Sequence, residues 1–139
     1  MRHYLVVANQ TLLGDPLVNR IKACLAAGPC RFHLVVPATH VPGRAVWTEG
    51  RNRAVAADRL REGLERFRAL GAEVEGEVGD ERPMDAVRDA MLHAGPFDHI
   101  ILSTLPPGLS KWLRQDLPHR IQRAFELPLT TVVGARVAA

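Results

Sequence analysis

The sequence predicts an α/β domain, an open five-stranded parallel sheet with helices on both faces. Three observations carry this reading. Short apolar runs rich in β-branched residues recur at 4–8, 32–37, 74–79, 99–103 and 129–133, bounded by Gly, Pro or Asp. The stretches between them place apolar residues at helical spacing. Strands that alternate with helices pair in parallel through right-handed crossovers, which cover the sheet on both sides.

Each helix is punctuated. After the first strand, Asp15-Pro16 reads as an N-cap followed by proline at the first helical position. Leu17, Ile21, Cys24 and Leu25 then make one apolar stripe, and Gly28-Pro29 stops the helix. The second helix, 51–70, sets Ala56, Leu60, Leu64 and Phe67 on one face and ends at Gly71. Its Arg59, Arg61, Glu62, Glu65, Arg66 and Arg68 alternate in sign, as on a solvated face. A third helix, 83–94, buries Val87, Ala90 and Met91 before Gly95-Pro96, and a fourth occupies 117–125. Two connections, 38–50 and 104–116, are longer than tight turns, and both leave the carboxyl ends of strands. In an open parallel sheet that edge holds the ligand crevice, at the point where strand order reverses.

Composition narrows the function classes. With 139 residues, 47% apolar and 24% charged, the chain fits one globular domain spanning 1–139. No apolar run reaches the roughly 18 residues of a membrane span, and residues 4–8 are too short a run for a secretory signal. The expectation is a cytoplasmic protein that binds no membrane. Of 18 cations, 16 are arginines that alternate with acids, so the net charge of +3 forms no nucleic-acid footprint. Cys24 and Cys30 lack a metal or redox spacing and read as buried free thiols. His40, His93 and His99 have no partner at metal-ligand spacing, so no metal site is expected. Ser103-Thr104 stands where a nucleophile could sit, with His119 in the following helix. No nucleophile elbow or local base accompanies it, and the hydroxyls read as strand-end caps. Trp47 and Trp112 lie in the two long connections and are expected to pack over the crevice.

Several segments resemble the universal stress protein family. Val78-Gly79-Asp80, the helix containing Ala86-Val87, and Phe97-Asp98-His99-Ile100-Ile101-Leu102 resemble its third strand, third helix and fourth strand. Leu34-Val35-Val36-Pro37 is similar to its second strand, and Leu127-Pro128-Leu129-Thr130-Thr131-Val132-Val133 to its closing strand. The resemblance implies strand order 3-2-1-4-5 and, in many members, ATP binding. The crevice residues to which it points are Ala8, Asn9, Gln10, Pro37, Ser103 and Thr104, with Gly108 and Asp116 in the loop after strand four.

Two departures shape the functional expectation. Asn9 stands where ATP-binding members carry aspartate. Their glycine-rich phosphate loop has no counterpart, since Leu102, Leu105, Gln115 and Asp116 occupy its motif positions when the comparison is anchored on Gly108. Side chains at these positions hinder the close backbone approach a phosphate needs, and Pro106-Pro107 removes two amide donors. Asp116 is expected to cap the fourth helix and to fill its anion site with its own carboxylate. The expectation is thus a non-catalytic stress-response or regulatory domain that works through a small-molecule ligand or a protein partner, with no required cofactor and weak or no ATP binding. The alternative is an adenine-nucleotide binder with an altered phosphate loop. In the implied order the strand Leu129–Val133 is an uncharged edge, which predicts a homodimer.

Overall fold

The computed structural model describes residues 1–39 and 49–134. Its elements follow the order β1 (Arg2–Val7), α1 (Asp15–Ala27), β2 (Cys30–Pro37), α2 (Glu49–Ala69), β3 (Glu73–Gly79), α3 (Pro83–His93), β4 (His99–Thr104), α4 (Lys111–Arg114), α5 (Leu117–Phe125) and β5 (Leu129–Val133). The five strands form one sheet in the order β3-β2-β1-β4-β5, and every pairing is parallel. The predicted class and order are thereby observed. Most of the connection at 38–50, with His40 and Trp47, lies outside the described residues.

Side chains alternate across a strand, so the central strands feed two cores. On one face Tyr4, Val6, Leu34 and Val36 pack against Leu17 and Ile21 of α1 and Ala56 and Phe67 of α2. On the other, Leu5, Val7, Val35, Ile100 and Leu102 pack against Ala86, Val87 and Ala90 of α3 and Leu117 and Ile121 of α5. The fit between β3 and α3 is close at Gly79. A Cβ added there would lie 2.7 Å from the Ala86 Cβ and 2.9 Å from Val35 Cγ1. This close approach sets how near α3 sits to the end of β3.

Three local expectations need correction. Gly14, with extended backbone, occupies the N-cap of α1, and Asp15 is the first helical residue; no side chain caps this end. Its carboxylate still lies in the first turn, where the helix dipole favours negative charge. The connection 104–116 is not wholly loop, because Ser110 caps the short α4 by accepting a hydrogen bond from the Leu113 amide at 3.1 Å. Cys30 is half-buried, not buried like Cys24, and its thiol donates to the Cys24 carbonyl at 3.7 Å.

At the β4–β5 side of the first core, the Arg20 guanidinium donates to Thr130 Oγ1 at 3.1 Å, and His99 Nε2 lies 2.8 Å from the same oxygen. Burial holds the His99 imidazole below its ordinary value, and Arg20 and Arg2 add to the effect. Burial also lowers His3, partly offset by its contact with the Pro96 carbonyl. When the folded-state value is depressed, the unfolded chain takes up protons first as pH falls below about 6.5. Stability is therefore full above that pH and declines below it. Urea midpoints should fall between about pH 7.5 and 5.5, and His99→Gln should flatten that fall; an unchanged slope in the variant would remove His99 from the account.

Candidate functional site

The direction of winding reverses at β1, since β2 and β3 lie to one side of it and β4 and β5 to the other. The chain leaves β1 and β4 at neighbouring points, and the segments that follow cannot both cover the gap. A cleft of about 320 Å³ opens there, at the small end of the size range for ligand sites. Its floor comes from Asn9, Gln10 and Thr11 after β1 and from Ser103, Thr104 and Leu105 at the end of β4. Arg82 and Pro83, at the start of α3, form one wall, and Leu109, Lys111, Trp112 and Arg114 of the α4 region form another.

Asn9 ties this edge together. It is buried, and its amide nitrogen donates to the Pro37 carbonyl at 2.7 Å and to Thr39 Oγ1 at 2.9 Å. Arg59 of α2 donates to Asn9 Oδ1. Both amide hydrogens are thus committed to the end of β2. Only Asn supplies two donors and an acceptor in this compact form; an aspartate here would set a carboxylate against the Pro37 carbonyl. Arg59 thereby departs from the solvated face that the alternating charges of α2 predict. The surface ion pairs on α2 instead centre on Arg61, with Asp58 at 3.7 Å and Glu65 at 3.9 Å.

The rest of the floor is buried and polar. Thr11 Oγ1 and Ser103 Oγ share a 2.5 Å hydrogen bond across the β1–β4 gap. Ser103 thus bonds another hydroxyl, and among the described residues no histidine lines the cleft. Two buried oxygens of cleft residues, Gln10 Oε1 and Thr104 Oγ1, have no hydrogen-bond partner. An unpaired buried polar atom costs about 1–3 kcal/mol, so these positions favour any ligand that supplies the missing bonds.

Charge at the cleft is positive. Arg82, Lys111 and Arg114 line it against one acid, Glu81. Arg82 also contacts Asp80 at 3.8 Å and Asp85 at 3.4 Å. These pairs are exposed, worth at most about 1 kcal/mol each, and leave the guanidinium able to turn to a ligand. Trp112 spans the second core and the cleft wall, which agrees with its expected packing.

Of the eight residues singled out in the sequence, Asn9, Gln10, Ser103 and Thr104 line the cleft; Ala8, Pro37, Gly108 and Asp116 do not. Ala8 is buried in the first core beside the cleft, and Pro37 contributes its carbonyl to Asn9. Gly108 makes an exposed turn at φ +90°. Asp116 corrects the expectation most. It occupies the N-cap position of α5 in the left-handed conformation, φ 55° and ψ 38°, and makes no capping hydrogen bond. Its carboxylate turns to His119 Nδ1 at 3.0 Å on an exposed patch shared with Gln122 and Arg123. It therefore does not fill an anion site in the cleft. The cations Arg82, Lys111 and Arg114 share no spacing that marks a site, because they enter from two segments far apart in sequence, the start of α3 and α4.

A parallel α/β sheet with a cationic cleft at its reversal point defines a ligand-binding class of fold. No protein-family model matches the sequence, and no curated protein matches it. Solved structures do. A universal stress protein from Archaeoglobus fulgidus superposes with TM-score 0.63 at 14% identity, covering 95% of this chain and 93% of that one. A universal stress protein in complex with cAMP gives TM-score 0.60 at 18% identity over 94% and 96%. A universal stress protein family protein from Arabidopsis thaliana with AMP bound gives 0.62 at 14% over 99% and 94%. The chain has the universal stress protein fold.

The left-handed backbone at position 116 yields a test. Glycine pays no Cβ penalty there, so Asp116→Gly should raise the unfolding midpoint, by up to about 1 kcal/mol. A capping carboxylate would give the opposite sign, and a lowered midpoint would restore that role.

Proposed function

We propose that this chain is a non-catalytic ligand-binding domain, of the stress-response or regulatory kind, whose cleft takes a small phosphorylated molecule of the adenine mononucleotide class and binds ATP weakly. The observation that carries the reading is the pairing of two unpaired buried oxygens, on Gln10 and Thr104, with three cations at the mouth. Three cations against one acid leave a surplus that suits a single dianionic phosphate. Without glycine amides to wrap a polyphosphate, the distal phosphates of ATP gain little beyond screened attraction. The AMP and cAMP held by two proteins of the same fold support this class of ligand.

Affinity should be modest, because a base that needs the Asn9 amide must displace Thr39 or the Pro37 carbonyl. The reading as non-catalytic rests on the cleft's chemistry, in which the Ser103 hydroxyl faces another hydroxyl and no imidazole of the described residues lines the cleft. Thermal denaturation tests the reading. A ligand at 100 times its Kd adds about 2.7 kcal/mol of stability. AMP or cAMP should therefore raise Tm by several degrees, ATP by less, and Lys111→Ala with Arg82→Ala should abolish the shift. No shift with any nucleotide at millimolar concentration would reject it.

We infer also that the chain pairs with a second copy through β5. Edge strand β3 carries Glu73, Glu75 and Glu77, whereas Leu129–Val133 has no charge, and Val133 is 45% exposed. An uncharged open edge calls for cover, and a two-fold axis supplies it by antiparallel pairing. Light scattering after gel filtration should give twice the 15.3 kDa chain mass, reverting to one chain in Val132→Asp; a single-chain mass for the wild type would end the inference.

A further inference from the structure

On the sheet face of the second core, no residue of β3 joins that core. Three residues far apart in sequence meet there. His33 lies on β2, Glu77 on β3, and His93 is the last residue of α3. Register brings the first two together: Val35 pairs with Glu77 and His33 with Glu75, so His33 and Glu77 are diagonal neighbours on one face. Helix α3 crosses over that face and delivers His93 from above.

The convergence is on one atom. Glu77 Oε2 lies 2.6 Å from His33 Nε2 and 2.6 Å from His93 Nε2, and the three ligand atoms all lie within 4.8 Å of one another. The His33 ring is held between Phe97, at 6.0 Å, and His93, edge-on at 6.5 Å. Its side chain is 12% exposed and that of Glu77 23%, while His93 is 56% exposed, so the group is rooted in the sheet and open on one side. His93, which has no partner at metal-ligand spacing in the sequence, meets His33 and Glu77 only through the tertiary fold.

We propose that His33, Glu77 and His93 form a binding site for a divalent transition-metal ion, zinc being the best match. Two imidazoles with one carboxylate are a borderline-soft donor set that suits zinc over magnesium or calcium. Zinc bonds of about 2.0–2.2 Å place tetrahedral ligand atoms about 3.4 Å apart. The two imidazole nitrogens need only withdraw from Glu77 by less than about 1 Å, each neutral ring turning its Nε2 lone pair to the ion as the Nδ1–H tautomer. Solvent reaches the open side and supplies the fourth ligand. Asp80 and Asp89 line the shallow hollow with Glu77 and His93, and Arg53 is the opposing cation. Two further carboxylates against one guanidinium leave the surroundings favourable to a dication. A bound ion would join β2, β3 and the carboxyl end of α3, the helix whose other end borders the cleft.

The untagged chain, stripped with chelator, should take up one zinc ion per chain in isothermal titration, and cobalt(II) should give the intense visible bands of tetrahedral coordination. His93→Gln, at an exposed position that leaves folding intact, and Glu77→Gln should each weaken zinc at least about tenfold. His119→Gln, at the separate patch beside Asp116, should leave it unchanged. Failure to bind zinc at about 100 μM (a free energy of only about −5.5 kcal/mol at that Kd) would overturn the proposal. So would zinc uptake that His93→Gln leaves intact, or that His119→Gln abolishes.

Discussion

Strand β1 is paired on both edges and buried on both faces. A strand so placed has no freedom. Its side chains must be apolar in both directions, as Tyr4, Leu5, Val6 and Val7 are, and its backbone groups must all be used within the ladder. The demand continues one step past the strand, where the chain leaves the sheet while still buried. The Ala8 amide donates to the Val35 carbonyl, and Asn9 uses its side chain to satisfy the end of β2. The cleft exists because β2 and β4 depart on opposite sides of this one strand.

Asn9 therefore serves the fold before it serves a ligand. Its donors hold β2 and its acceptor holds α2 through Arg59. In the proposed binding, recognition would fall to the groups left unsatisfied, Gln10 and Thr104, and to the cations around the rim. A site built this way selects by charge and by a few missing hydrogen bonds. A glycine-lined phosphate loop selects by backbone shape, and its geometry is far less tolerant.

Much of this was legible in the sequence because the signals were local. Asp15-Pro16, Gly28-Pro29, Gly71 and Gly95-Pro96 marked helix limits to within a residue or two, and alternation marked the strands. The crevice residues Asn9, Gln10, Ser103 and Thr104 came from the family resemblance, and they stand at the ends of β1 and β4. What failed was longer in range or finer in angle. Asp116 has the right residue type and position for a cap, yet its backbone is left-handed, and no propensity rule reports that. Arg59 looks like any cation on a charged helix until α2 is laid beside β1. His33, Glu77 and His93 come together only through strand register and the path of α3, none of which leaves a spacing to read.

The two rims of the sheet are chemically unlike. One presents Glu73, Glu75 and Glu77 along a single strand, so a second copy brought alongside would set like charges against each other at every other residue. The other, Leu129–Val133, presents no charge at all. A ribbon that grows by edge addition needs two receptive ends, and here one end refuses its own kind. Any association through the neutral rim is self-limiting: it closes on a pair and has nowhere to propagate.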